Sequence, residues 1–335
     1  MQSTDPLERL FALGSNGRPP LILAPMAGVT DVPFRALAHR FGADLTVSEM
    51  IASQAMIRHV DRCLKQSASA DPDAVRMVQI AGADPGAMGE AARMQVELGA
   101  EVIDINMGCP VKKIVGTGAG AALLKDESLA GRIMESVARA VEVPVTVKIR
   151  LGWDDTQRNG LTMLRIAENA GMRAIAVHGR TRAQMYSGMA DWEAIGEIKS
   201  RAAIPVIGNG DLTTPEQALT LWKKSGVDGL MIGRAALGRP WIFREMTHFL
   251  TTGTHLAPLG LEARGTVIVS HFHAMIRHHG PRTGHLLARK HLGWFTRGMP
   301  GGAAFRDRMN HAPHPEAVLE MLDRYLNSLL QAQAA

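Results

Sequence analysis

At 335 residues the chain exceeds an ordinary single domain and is long enough to bury a large core. Its 46% apolar, 21% charged and 4% aromatic residues give a globular composition that excludes a disordered or fibrous chain. Two cysteines, Cys63 and Cys109, exclude a disulfide framework and argue against a structural zinc cluster, and the formal charge of +5 is modest until its position is considered.

The opening stretch MQSTDPLERLFALGSNGRPP carries Asp5 and Glu8 and has no apolar core long enough for export. No later run reaches membrane-spanning length, so a cytoplasmic protein without membrane attachment is expected. From there, eight β-branched or apolar runs follow in order, each trailed by a helix-like stretch. They are 21-26 (LILAPM), 45-50 (LTVSEM), 75-82 (VRMVQIAG), 101-108 (EVIDINMG), 143-151 (VPVTVKIRL), 174-180 (AIAVHGR), 204-211 (IPVIGNGD) and 229-235 (GLMIGRA). Eight strand-plus-helix units predict an α/β fold, a (β/α)8 TIM barrel over residues 1-245. A doubly wound sheet would place a Gly-rich dinucleotide turn after its first strand, whereas this one ends in Pro25-Met26-Ala27-Gly28. The glycines of 116-121 (GTGAGA) stand too far past their strand for a nucleotide loop and predict a mobile substrate loop instead.

After about residue 245 the β/α rhythm stops. A break at 255-260 (HLAPLG) precedes helical patterns at 262-279, 283-297 and 315-333, which predicts a small C-terminal α-helical domain over 255-335. The charge lies here: between Arg239 and Asn310 stand ten Lys or Arg against three acids, with six histidines in 271-291. A basic patch this local suits a polyanion such as nucleic acid, with a solvated helical face as the plainer alternative.

In a closed β/α barrel the working groups sit at the C-terminal strand ends. Met26, Glu49, Gln79, Asn106 with Cys109, Lys148, His178 with Arg180, Asn209 to Asp211, and Gly233 with Arg234 all fall there. A lysine inside a strand needs an anionic partner, met either by a ligand or by an internal salt bridge. The glycines ending strands seven and eight, GNGD and IGRA, leave amides free for a phosphate. Cys109 is fixed in a turn between Gly108 and Pro110; position alone does not separate a reactive thiol from a small buried hydrophobe.

The stretches APMAGVTDVPFR (24-35), SEMI (48-51), QIAG (79-82), DINMGCP (104-110), GAGAALLKD (118-126), VKIRLGWD (147-154), HGRTRAQMYSGMADW (178-192), PVIGNGD (205-211) and GLMIGRAALGRPWIF (229-243) together resemble the tRNA-dihydrouridine synthase family. RKHLGWFTRGMPGGAAFRDRMN (289-310) extends the likeness into the tail, in the manner of the bacterial B subclass. The resemblance implies an FMN enzyme that reduces the C5-C6 bond of specific uridines in tRNA, with NADPH as electron source. It implies flavin contacts at Pro25, Met26, Ala27, Gln79, Lys148, His178, Asn209, Gly210, Asp211, Gly233 and Arg234, with His178 beside the ribityl phosphate. It makes Cys109 the catalytic acid, for which a thiol of near-neutral pKa would serve. Lys148 would sit as a fixed cation at the N1/C2 edge of the isoalloxazine. Asn106, Arg180, Arg182 and Tyr186 are candidates for holding the extruded uridine, and Arg277, Arg282, Arg289, Lys290, Arg297, Arg306 and Arg308 for the tRNA backbone. No metal is expected, and the enzyme is expected to act as a monomer. Ala122 departs from the small hydroxyl residue expected in many members. Two competing readings are an FMN barrel acting on a free pyrimidine, which leaves the basic tail unexplained, and a non-catalytic RNA-binding scaffold, against which Cys109, Lys148 and the paired phosphate loops argue.

Overall fold

The computed structural model describes residues 5-53, 66-69, 71 and 74-334; Cys63 lies outside the described residues. The chain divides into two units, Met1–Ala235 with Ile242–Thr254, and Ala236–Trp241 with His255–Ala335.

The first unit is built on β1 (Leu21–Leu23), β2 (Leu45–Thr46), β3 (Ile51–Ala52), β4 (Met77–Ala81), β5 (Val102–Met107), β6 (Val145–Arg150), β7 (Ala174–His178), β8 (Val206–Asn209) and β9 (Gly229–Ile232). All pair in parallel, in the order β2-β1-β9-β8-β7-β6-β5-β4-β3. One end of that order, β2, lies in the run predicted as a strand at 45-50, and the other, β3, begins one residue past it. Val47 bridges Met77 in parallel, and the Ser48 N–H donates to the Met77 carbonyl at 3.1 Å, so the ring closes into an eight-membered barrel. The run is interrupted because the Ser48 hydroxyl takes the place of a backbone acceptor: it receives the Gln79 N–H at 3.0 Å and donates to the Glu49 carbonyl. The Glu49 carboxylate then receives the Gly28 N–H from the β1 loop.

Alternation along the strands sorts the barrel interior by depth. At the N-terminal end, Ile22, Leu45, Val47, Met77, Val102, Ala176, Ile207 and Met231 form an apolar cluster with Leu7 and Leu10. Those two leucines come from a short helix, α1 (Pro6–Phe11), which plugs that end and which the chain's periodicity does not announce. Further along β4, β5, β6 and β8 the interior turns polar, with Gln79, Asp104 and Asn106, Thr146 and Lys148, and Asn209. The helices around the barrel begin where Asp31, Asp84, Asp126, Asp191 and Thr214 accept a backbone N–H from their first turns, three of them followed by an early proline.

The second unit contains Leu261–His279, Pro281–Phe295, Gly302–Asn310 and Pro315–Ala334. The helix Gly302–Asn310 was not predicted: it is short, and of its buried residues Gly302, Phe305 and Met309 only two are apolar side chains that could mark a stripe. It is anchored by Phe305, stacked on Tyr325 with ring centroids 4.7 Å apart. The hexapeptide Ala236–Trp241 groups with these helices although the barrel's sequence flanks it, and Trp241 stacks on Phe295 at 6.2 Å.

Candidate active site

Cys109 stands two residues past β5, half-buried, in a turn held from three sides. The Asn106 Oδ1 accepts the N–H groups of Gly108 at 3.2 Å and Cys109 at 2.9 Å. Arg150 donates from Nε to the Gly108 carbonyl at 2.7 Å, and its Nη1 reaches the carbonyls of Thr181 and Met185. From the other side the Ala121 N–H donates to the Cys109 carbonyl at 3.0 Å. The second half of the GTGAGA stretch is therefore folded onto the turn, while Gly116, Thr117 and Gly118 are exposed. Ala119, Gly120 and Ala121 are buried, and a Cβ on Gly120, at φ +62, would lie 2.8 Å from the Cys109 oxygen. Ala122 sits within this 3-10 turn, its N–H on the Ala119 carbonyl.

Burial pushes the Cys109 thiol above its ordinary range, against the Val111 backbone and the Arg150 charge. The near-neutral thiol expected from the sequence is thus corrected. The group is protonated at neutral pH, the form in which a proton donor must be held.

For Lys148 the sequence left open a ligand or an internal salt bridge as partner. Its ammonium donates to the Asn209 Oδ1 at 3.0 Å, and among the described residues no carboxylate forms an ion pair with it. Burial, then the Arg150 charge, lower it to about 8 against the pull of Asp104. Asn209 is oriented for that contact because its Nδ2 donates to the Met231 carbonyl at 2.7 Å.

At the mouth, Arg180 is almost wholly buried, which removes it from the exposed RNA contacts considered for it. It donates to the carbonyls of Ser187 and Gly188, approaches the His178 Nε2 at 3.3 Å and pairs with the Asp211 Oδ2 at 2.6 Å. Asp211 also receives the Ala190 N–H and the Arg234 guanidinium, so its carboxylate organises the rim. It has little left to offer a phosphate. Asp211 adopts φ +53 and follows Gly210, whose carbonyl accepts the Trp192 indole N–H at 3.0 Å. His178 is kept neutral: burial, then Lys148, Arg150, Arg180 and Arg234, push it down to about 2.

Tyr186 is exposed, with the guanidinium of Arg234 at 4.9 Å and that of Arg150 at 5.6 Å from its ring. Arg182 instead lies over Trp153 at 4.4 Å. Pro25, Met26 and Ala27 form the partly exposed loop after β1, where the Met26 N–H donates to the Thr30 Oγ1. A Cβ on Gly233 would reach Ala24 and the Met26 sulfur only at 3.7 Å. In the helical unit, Arg289 is half-buried and donates to the Ala312 carbonyl at 2.7 Å, and Arg306 donates to the Thr296 carbonyl. Arg277, Arg282, Lys290, Arg297 and Arg308 are exposed.

Sequence reasoning gave no role to Arg150, Asp104 or Thr146. All three share strand parity with the residues it did single out: Arg150 stands two past Lys148, and Asp104 two before Asn106. That period of two was the available signal.

A dihydrouridine synthase (Dus) family model matches residues 22–332. The chain is 49% identical over 297 residues to tRNA-dihydrouridine synthase B of Pseudomonas aeruginosa, with 89% of this chain and 90% of that protein covered. It is 51% identical over 291 residues to tRNA-dihydrouridine synthase B of Pseudomonas putida, covering 87% and 86%. It is 46% identical over 312 residues to the probable tRNA-dihydrouridine synthase of Rickettsia conorii, covering 93% and 94%. Among solved structures, histamine dehydrogenase from Rhizobium sp. 4-9 superposes with TM-score 0.54 at 12% identity, covering 76% of this chain and 48% of its own. 2-Naphthoyl-CoA reductase gives 0.55 at 10%, covering 68% and 50%. Those likenesses show the barrel fold, shared with about half of each longer chain. With the family model spanning nearly the whole sequence and relatives at about half identity, the chain belongs to the dihydrouridine synthase family.

Proposed function

We propose that this protein reduces the C5-C6 double bond of specific uridines in tRNA, using FMN reduced by NADPH, with Cys109 as the proton donor. The observation that carries the reading is a half-buried thiol in a clamped turn at the mouth of the barrel, its pKa raised by burial. It stands beside Arg150, whose charge acts on it, and Arg150 and Lys148 both act on His178.

The residues present fit FMN. Lys148, Arg150, Arg180 and Arg234 crowd His178 with positive charge, while the carboxylate at the rim, Asp211, is already engaged by Arg180 and Arg234. That surplus suits an anionic ligand, and the neutral His178, its Nε2 facing Arg180, would keep Nδ1–H to donate to a phosphate. Gln79, Lys148 and Asn209 would meet the ring system, His178, Gly233 and Arg234 the phosphate, and Pro25-Met26-Ala27 one edge of the site. Gly210 and Asp211 shape the rim. When bound, the flavin supplies the hydride that goes to C6 of uracil.

What remains is work for the chain's own groups. Negative charge develops at C5 and O4 of the uracil, and the Cys109 Sγ–H quenches it by giving its proton to C5. Arg150 holds the Gly108 carbonyl and so fixes the direction of the turn that carries the thiol. Tyr186 would hold the extruded base, whereas Asn106, a candidate for the same task, is buried with its amide on Gln79 and on the Gly108 and Cys109 N–H groups and holds the turn instead. Residues 1-245 act as the catalytic domain and 255-335 as the tRNA-binding domain, in a monomer working in the cytoplasm. Among the described residues no helix is long and apolar enough to cross a membrane. Mapping dihydrouridine in tRNA from cells with and without the gene tests the reading: loss of the modified base at defined positions is expected, and an unchanged dihydrouridine content overturns it.

A further inference from the structure

Inside the barrel, four side chains from three adjacent strands form one hydrogen-bonded chain that ends on the Cys109 turn. The Thr146 hydroxyl donates to the Asp104 Oδ1 at 2.6 Å, and the Gln79 Nε2 donates to the Asp104 Oδ2 at 2.6 Å. The Asn106 Nδ2 donates to the Gln79 Oε1 at 2.7 Å, and the Asn106 Oδ1 accepts from the Gly108 and Cys109 amides. All four residues are buried, Asp104 to 2% exposure. We propose that Asp104, which touches neither Cys109 nor the mouth, is the positioning residue of the proton-donating turn: its carboxylate fixes the direction of this chain and thereby keeps the Asn106 oxygen on the Cys109 amide. The proposal rests on the reading of Cys109 as the donor and goes further by naming what holds it in place.

The argument is one of donor and acceptor count. A backbone N–H only donates, so the Asn106 atom facing Cys109 must be its oxygen, and its NH2 must face Gln79. Gln79 then has to present oxygen to Asn106 and NH2 to position 104. Only an acceptor satisfies it there, because a buried donor left facing another donor loses its hydrogen bond with no water to replace it. Burial raises Asp104 against its bonds from Thr146 and Gln79 and the Lys148 charge. A proton on the carboxyl would leave the direction intact, because it can sit on Oδ1, where the Thr146 hydroxyl is able to accept it. The chain therefore has one polarity, required by the backbone amides at one end and matched by the acceptor at position 104 at the other.

The same count predicts how to reverse it. In Asn106→Asp both carboxylate oxygens accept, so Gln79 must turn its NH2 towards 106 and its oxygen towards Asp104, where two acceptors collide while that carboxyl is ionised. Adding Asp104→Asn supplies a donor at that point, and the Thr146 hydroxyl donates to the remaining amide oxygen. Every group is paired again, with the carboxylate moved from one end of the chain to the other.

The test reads the Cys109 amide itself. The chain has only two cysteines, so [15N]cysteine labelling gives two amide signals, assigned by comparison with Cys63→Ser. Hydrogen exchange of the Cys109 signal is measured in the flavin-free protein and in Asp104→Asn, Asn106→Asp and the double variant. Asn106→Asp is expected to lose at least about tenfold in protection, and the double variant to return to within about threefold of the parent. A single Asn106→Asp protein as protected as the parent overturns the proposal, as does a double variant no better protected than the single. Should Asn106→Asp fail to fold, recovery of a folded, protected double variant carries the proposal and failure of both overturns it. The reading of Cys109 as donor stands or falls separately, on dihydrouridine formation by Cys109→Ala.

Discussion

At the scale of single residues, the site works through groups whose charge state is set by burial. Cys109→Ala should keep flavin reduction by NADPH but lose uridine reduction by about 100-fold or more, because the role proposed for the thiol belongs only to the second half-reaction. A single-turnover assay with pre-reduced enzyme checks this, and full dihydrouridine formation would make Cys109 structural. Since the thiol lies above its ordinary range, its alkylation by iodoacetamide should rise with pH through a midpoint above that of a free cysteine. Lys148 carries a pH signature of its own. The folded protein releases its proton at about 8, against 10.5 for the ordinary side chain, so between those values the unfolded chain binds more protons. Stability of the flavin-free protein should therefore rise with pH across that window, while FMN affinity falls as the ammonium is lost. Lys148→Met should lack both trends and reduce its flavin more slowly; denaturant titrations and FMN binding from pH 7 to 10 decide it.

Individual elements place these groups, and two of them are open to test. The loop after β8 depends on Gly210, at φ +131, where an added Cβ would lie 2.5 Å from the Ala190 Cβ. Gly210→Ala should push that loop away from Ala190, disturb the Asp211 contacts and weaken FMN retention by about tenfold or more, read by quenching of flavin fluorescence. At the opposite end of the barrel, α1 contributes Leu7 and Leu10, exposed to 3% and 7%, to the apolar cluster. Leu10→Ala should cost about 2–4 kcal/mol of stability in a denaturant melt. FMN binding by the folded fraction should not change, because no group of the site lies in that layer.

For the whole molecule, the division into a barrel unit and a helical unit matches a division of charge, with the basic excess in the second. Exposed cations there should bind phosphates and release counterions, so tRNA affinity should fall steeply with salt. Arg289 and Arg306 are poor choices for testing this, since their guanidinium groups hold the Ala312 and Thr296 carbonyls. Neutralising the exposed Arg282, Arg297 and Arg308 instead should flatten the slope of log affinity against log salt by about one for each phosphate that no longer meets a cation. The melting temperature should stay the same. Filter binding over a salt series gives the answer, and a wild-type slope would leave these arginines as a solvated face.

The sequence by itself determined the barrel, the Cys109 turn and the basic tail, because each rests on local order. Strand runs repeat along the chain, Gly108 and Pro110 bracket Cys109, and charge can be counted. It also carried the parity that puts Asp104, Asn106, Lys148 and Arg150 on one face of their strands, though not what each would meet there. Closure of the ring through Val47 and Ser48, the burial of Arg180, the engagement of Asp211 and the partner of Lys148 were decided only by the tertiary structure. Each of these depends on atoms brought together across dozens of residues, such as Lys148 and Asn209 or Asp104 and Gln79. Whether a buried charge meets a carboxylate, an amide oxygen or a ligand is fixed by that assembly, and so is the charge it carries.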